Sequence, residues 1–208
     1  MNHAPGVTFA SFAGLGLRAG LDAARWATEL GYGSFWTAET TGPEAFATLA
    51  AVGAAEPSLD LGTGVLALQV RSPMVAAMGA ATLTELGSDR RVLLGVGVSS
   101  PVVTERWHGV PYGDRPLRQT REYLEVVRAI LDGDAVTYEG EHYQLRRSRL
   151  GVRLGERRPE LVLGALGERM LRLAGELADG VLLNYLPAAA VPWCVEQVHA
   201  GEDAAGRP

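Results

Sequence analysis

Cysteine is nearly absent from this 208-residue chain, and the single Cys194 rules out an internal disulfide framework. With no second thiol and only four scattered histidines, no residue set has zinc-ligand spacing. Excess positive charge is lacking as well. Nineteen Lys plus Arg against 24 Asp plus Glu give a net charge of -5, so no basic face for nucleic acid is expected. No apolar run approaches the ~20 residues that span a bilayer, and no basic region precedes an apolar core at the N-terminus. No membrane association and a cytoplasmic location are therefore expected. Low-complexity linkers and short tandem repeats are missing too, which leaves residues 1–208 as one domain. Its 47% hydrophobic content suffices for a substantial core. The remaining class is a globular protein that handles a small molecule.

What is present is an alternation of short apolar runs and helical periods. Val7-Thr8-Phe9-Ala10 reads as a strand, followed by a helix over 21–30 that Gly31 stops. Ser34-Phe35-Trp36-Thr37 is a second strand, followed by a helix with Pro43 as its first residue. A third strand, 59–64, leads to Ser72-Pro73 as N-cap and first turn of a helix that runs to Leu86. Val92 to Val96 is a fourth strand. The alternation then pauses over 99–159, an insertion holding a loop at Trp107-His108-Gly109, an amphipathic helix and a hairpin around Gly140. Strands at 160–163 and 181–183 flank a helix bearing Met170 and Leu171, and a helical stretch from Val191 to His199 follows.

Such alternation implies a parallel sheet covered by helices, either a (β/α)₈ barrel or an open doubly wound sheet. The open sheet has one argument: Gly14-Leu15-Gly16-Leu17-Arg18-Ala19 fits G-x-G-x-x-A, and Glu39 follows the second strand where a ribose-binding acid belongs. The barrel has another. Leu61-Gly62-Thr63-Gly64-Val65 is a buried-type strand broken by two glycines, where backbone can approach a flat ligand.

Several motifs occur together in a fixed order. They are Gly31-Tyr32-Gly33-Ser34-Phe35-Trp36-Thr37-Ala38-Glu39, Leu61-Gly62-Thr63-Gly64-Val65, Arg71-Ser72-Pro73, Gly95-Val96-Gly97-Val98-Ser99-Ser100, Trp107-His108-Gly109-Val110, Arg121-Glu122-Tyr123, Tyr138-Glu139-Gly140 and Ala174-Gly175-Glu176-Leu177-Ala178-Asp179-Gly180. In this order they resemble the bacterial luciferase-like flavin and deazaflavin oxidoreductases, most of all the branch that uses coenzyme F-420, an 8-hydroxy-5-deazaflavin. The resemblance implies a (β/α)₈ barrel with an insertion after strand four. It also implies an oxidoreductase that passes hydride between the reduced deazaflavin and a small carbonyl, imine, alkene or alcohol. The alternatives are an FMN-dependent monooxygenase and a shortened, non-catalytic flavin-binding or partner subunit. Family members continue past a segment like Gly206-Arg207-Pro208, so the chain reads as a barrel of about six strands, incomplete at its C-terminus. Poor solubility or closure by a partner chain is then expected. The Ala- and Gly-rich helices after Pro43 and Pro73 correspond to a homodimer face.

The resemblance also assigns residues. Gly64-Val65 falls where the family carries a non-prolyl cis peptide beneath the ring. Gly164-Ala165-Leu166-Gly167 opens a helix whose N–H groups and dipole suit an anion, and the cofactor phosphate belongs there. Ser99 and Ser100 either assist that phosphate or cap a helix. Asn184 ends strand six as a cofactor contact or a turn residue. Glu39 is the candidate for ring contact or proton transfer, with an ion-paired glutamate as the other reading. The histidine that many members place after this acid is Thr40 here. His108 offers a proton near neutral pH or simply packs beside Trp107. Arg71 meets an anionic tail or a carboxylate. His3 and His142 read as exposed and uninvolved.

Overall fold

The computed structural model describes residues 4–87 and 89–207. Six parallel strands lie in the order in which the chain makes them: β1 (Gly6–Thr8), β2 (Ser34–Thr37), β3 (Asp60–Thr63), β5 (Val92–Gly97), β8 (Glu160–Gly164) and β9 (Gly180–Leu182). A two-residue strand, β4 (Leu66–Ala67), continues β3 along β5. Sequential order without a reversal has no switch point, so the doubly wound alternative falls and the sheet forms a half-barrel. Its helices are α1 (Leu17–Glu29), α2 (Ala45–Ala55), α3 (Pro73–Leu86), α4 (Pro116–Asp132), α5 (Glu168–Leu177) and α6 (Val191–Ala205). The antiparallel pair β6 (Val136–Glu139) and β7 (Gln144–Ser148) is the hairpin of the insertion.

Strand periodicity splits the sheet into two unlike faces. Phe35, Leu61, Leu94, Val96, Leu161 and Leu163 face the helices and are buried with their apolar stripes, Leu49 and Val52 on α2 and Leu124 and Val127 on α4 among them. In a parallel ladder, paired residues share a side, so Trp36, Gly62 and Leu93 stand in one row on the inner face. Gly95, Val162 and Gly180 form the next row, and Gly97, Gly164 and Leu182 the row above it. Bulky side chains fill the interior of a closed barrel; here glycine dominates the inner face.

Local signals explain most element ends. Ser72 Oγ accepts from the Val75 N–H at 3.3 Å with Pro73 in the first turn of α3, as its sequence implies. Pro43, in contrast, does not open α2. The Gly42–Pro43 peptide is cis, and Glu44 caps the helix through the N–H groups of Phe46 and Ala47 at 3.2 and 2.6 Å. Gly14 and Gly16 belong to a 3-10 turn (Ala10–Leu15) and to the residue before α1 rather than to a phosphate loop. After Ser100 the expected loop is partly a π-helical turn, Val102–Trp107.

Glu122 fixes the insertion. Its carboxylate, almost fully buried, accepts the N–H groups of Glu141, His142 and Tyr143 at 3.1, 2.7 and 3.3 Å, and Arg118 Nε at 3.0 Å. A Cβ at Gly140 would strike that carboxylate, so the hairpin tip needs glycine. Burial pushes the Glu122 carboxyl up, but the three amides and Arg118 outweigh it and hold the group below its ordinary range. His142 is therefore half-buried and part of this tie, not exposed. His3 lies outside the described residues.

Candidate functional site

The break between β3 and β4 shapes the site. From Gly62 to Leu66 one strand advances by four residues while its partner β5, from Leu93 to Val96, advances by three, so one residue bulges out. Thr63 fills the gap in the ladder: its Oγ1 accepts from the Gly95 N–H and donates to the Gly95 carbonyl, both at 2.8 Å. The Gly64–Val65 peptide within the bulge is cis. Beyond it the Val65 side chain lies across the inner face, where a Cβ at Gly97 would stand 3.0 Å from Val65 Cγ2 and a Cβ at Gly164 3.3 Å from Cγ1. A Cβ at Gly95 would collide with the Thr63 carbonyl oxygen. Glycine is thus required at 95, and at 97 and 164 it lets Val65 pack close to the sheet.

Two clefts open at the C-terminal ends of the strands. One, of about 350 Å³, is lined by Gly64, Val65, Gly97, Val98, Gly164, Ala165, Leu166, Gly167, Met170, Leu182 and Asn184. The candidate residues Gly64, Val65, Ala165, Leu166, Gly167 and Asn184 thus meet at one place. Ala165 is anchored by its N–H to the Leu182 carbonyl at 3.2 Å, while Leu166 is half exposed. Gly167 precedes α5 and offers no side chain to its first-turn N–H groups, and no heavy atom lies within 4 Å of where its Cβ would be. The Met170 N–H turns back to the Gly167 carbonyl at 2.9 Å, which leaves the N–H groups of Glu168 and Arg169 at the helix start for an anion. The second cleft, of about 640 Å³, runs from β1 past Trp36, Ala38 and Thr40 to the end of β9. It shares Gly64, Leu182 and Asn184 with the first. Trp36 forms its floor. The indole lies over Gly62, where any Cβ would collide with the ring, and its Nε1 donates to Ser34 Oγ at 2.9 Å.

Ser99 and Ser100 stand outside both linings. Ser100 serves the π-helical turn: its Oγ accepts from the Val103 N–H at 3.4 Å and its carbonyl from the Thr104 N–H at 3.0 Å. Glu39 is ion-paired. Arg71 Nε and Nη2 grip its two oxygens at 2.7 and 2.6 Å, and the Ala45 N–H adds a third bond at 3.1 Å. Arg71 also holds Glu44 and rests on the Phe46 ring, 5.2 Å from its centroid. Burial raises the Glu39 carboxyl, but Arg71 and the Ala45 amide overcome that and keep it below its ordinary value. At neutral pH it is a carboxylate with its charge answered. His108 comes to the rim of the second cleft by another route, its Nε2 lying 2.5 Å from the Thr40 carbonyl oxygen. The chain thereby brings a histidine from the insertion to Thr40. Trp36 and Thr63 belong to this arrangement and were not singled out from sequence, because only the strand register shows that they face or brace the inner surface.

No helix among the described residues is long and apolar enough to cross a membrane, and no metal-ligating cluster occurs among them. A family model described as luciferase-like monooxygenase matches residues 3–208. The chain is 37% identical over 177 residues to a Mycobacterium tuberculosis protein named as a coenzyme F420-dependent oxidoreductase, covering 79% of this chain and 50% of that protein. It is 35% identical over 150 residues to the 5,10-methylenetetrahydromethanopterin reductase of Archaeoglobus fulgidus, covering 72% of this chain and 44% of that enzyme. It thus spans about half the length of these relatives. An F420-dependent secondary alcohol dehydrogenase, solved with an F420–acetone adduct, superposes with a TM-score of 0.91 at 20% identity, covering 100% of this chain and 66% of that one, and so shares its fold. The half-barrel, the bulge at Gly64–Val65 and the family match lead to one assignment: the chain belongs to the luciferase-like monooxygenase family.

Proposed function

We propose that the chain binds a reduced 8-hydroxy-5-deazaflavin and serves hydride transfer to a small carbonyl, imine or alkene, or the reverse reaction from an alcohol. The observation that carries this reading is the cleft where the inner-face glycines, the Val65 bulge and the uncapped start of α5 meet. A planar ring fits against the Val65 side chain, which the glycines beneath it let lie close to the sheet, and a phosphate fits the N–H groups after Gly167. When bound, the deazaflavin supplies the hydride chemistry. The chain supplies placement. Val65 and Leu182 support one side of the ring, Asn184 stands at the seam where both clefts meet, and α5 holds the anionic end. Glu39, locked by Arg71, orders the loop before α2 rather than delivering a proton. His108, at the rim with its Nε2–H on the Thr40 carbonyl, is the proposed proton donor once that contact opens. A second copy of the chain packs on α3, where Val75 and Met78 remain exposed.

Anaerobic mixing of the protein with reduced deazaflavin and a panel of ketones and aldehydes tests the reading. Return of the oxidised-cofactor absorbance in a protein-dependent manner is expected. Saturable binding of FMN with none of deazaflavin would overturn it in favour of the monooxygenase alternative, and binding without turnover would favour a non-catalytic subunit.

A further inference from the structure

We infer that the second cleft selects uncharged substrates: small ketones, aldehydes or alcohols on a flat or branched apolar body, in preference to carboxylates and phosphates. This rests on the proposed hydride-transfer reading and narrows it. The wall that the chain supplies is aromatic and aliphatic, with Trp36 as floor, Tyr185 at the rim, and Val7, Ala10, Leu182 and Leu183 between them. Its polar side chains are the hydroxyls of Thr8, Ser11, Thr40 and Tyr185 and the amide of Asn184. Hydroxyls and an amide orient a carbonyl or alcohol oxygen by single hydrogen bonds. They do not compensate an ionic group taken from water.

The ionisable groups beside the lining are engaged, His108 at the rim having its Nε2 on the Thr40 carbonyl. Glu39 sits between two residues of the lining, Ala38 and Thr40, yet Arg71 grips both its oxygens, so neither member of that pair offers its charge to a ligand. The Arg71 guanidinium, which an anionic substrate would need, is bound to both Glu39 and Glu44. The anion-receptive N–H groups of α5 belong to the other cleft, across the shared seam. Cofactor phosphate and substrate are thereby sorted by chemistry: charge on the α5 side, apolar body on the Trp36 side.

The test is a matched pair of ligands, acetophenone and 4-acetylbenzoate, titrated at pH 8 while the Trp36 Nε1–H resonance is followed by NMR, with W36F identifying the signal. Acetophenone is expected to shift it saturably with a Kd at least tenfold below that of the carboxylate. Ser11 is exposed, so Ser11→Arg leaves the fold intact and is expected to erase or reverse the preference by supplying a cation. Equal or tighter binding of the carboxylate to the unmodified protein overturns the inference, as does an unmoved Trp36 signal with the neutral ketone. Deazaflavin binding is read separately from its own fluorescence. Ketone preference without deazaflavin binding sinks the proposed function but not the neutral cleft, and deazaflavin binding without ketone preference does the reverse.

Discussion

The two ends of the half-barrel solve the same problem, unsatisfied helix termini, in opposite ways. At the N-terminal end of the strands, arginines close successive helices. Arg90 donates to the Gly53 carbonyl in α2 at 2.7 Å, and Arg157 reaches Thr84 and Gly87 at the end of α3. Arg149 and Arg158 donate to Gly133 and Asp132 at the end of α4 at 3.3 and 3.2 Å. Arg207 donates to Gly175 and Ala178 at the end of α5 at 3.1 and 2.8 Å. The chain has no lysine, so all 19 basic residues are arginine, whose fork can serve two carbonyls at the negative end of a helix dipole. At the C-terminal end of the strands Glu44 and Ser72 cap α2 and α3, but α5 begins at a glycine without a side-chain cap. One end is saturated and the other keeps a receptive helix start beside the cleft, which is how a barrel separates stability from chemistry.

Changes that break the receptive end from within are expected to have the largest effect. Gly95→Ala drives a methyl against the Thr63 carbonyl oxygen and dismantles the bulge. A loss of about 3 kcal/mol in denaturant unfolding is expected, together with loss of deazaflavin binding. Unchanged stability would contradict the close-approach account of that glycine. Glu122→Gln removes the charge that collects three amides and Arg118, and about 2 kcal/mol should be lost. Because the folded-state pKa of Glu122 is depressed, its contribution is complete above the ordinary value of 4.5 and fades as pH falls through the lower folded value. The acid limb of the stability profile should therefore flatten in the variant, and a parallel profile would contradict the depressed pKa. The smallest effect isolates the saturated end. Arg90→Met should cost about 1 kcal/mol in stability and leave the deazaflavin Kd unchanged. A Kd shift larger than the stability loss would show that the two ends are not separate.

The parts of this arrangement that were legible in the sequence are those written in local periodicity. The apolar runs of β5 and β8, the Ser72-Pro73 start of α3 and the hairpin around Gly140 follow from composition and turn chemistry within a few residues. Pro43 misled because a cis Gly42–Pro43 peptide lies ahead of the Glu44 cap, whereas the proline itself looks like a first-turn residue. The π-helical turn at Val102–Trp107 has no distinct apolar period to reveal it. Trp36 over Gly62, Val65 over Gly97 and Gly164, and Arg90 on Gly53 join residues that only the strand register and helix packing bring together. The same holds for Glu39 and Arg71, which sequence left with two roles each and the fold pairs with one another.

The central claim is that the glycine-lined inner face near Val65 carries the planar cofactor. Calorimetric titration of 8-hydroxy-5-deazaflavin into the native protein and into Gly164→Val measures it most directly. The account predicts saturable heat with the native chain and none with the variant, while both melt cooperatively. Equal affinity in the two proteins, or no heat with the native one, would contradict it.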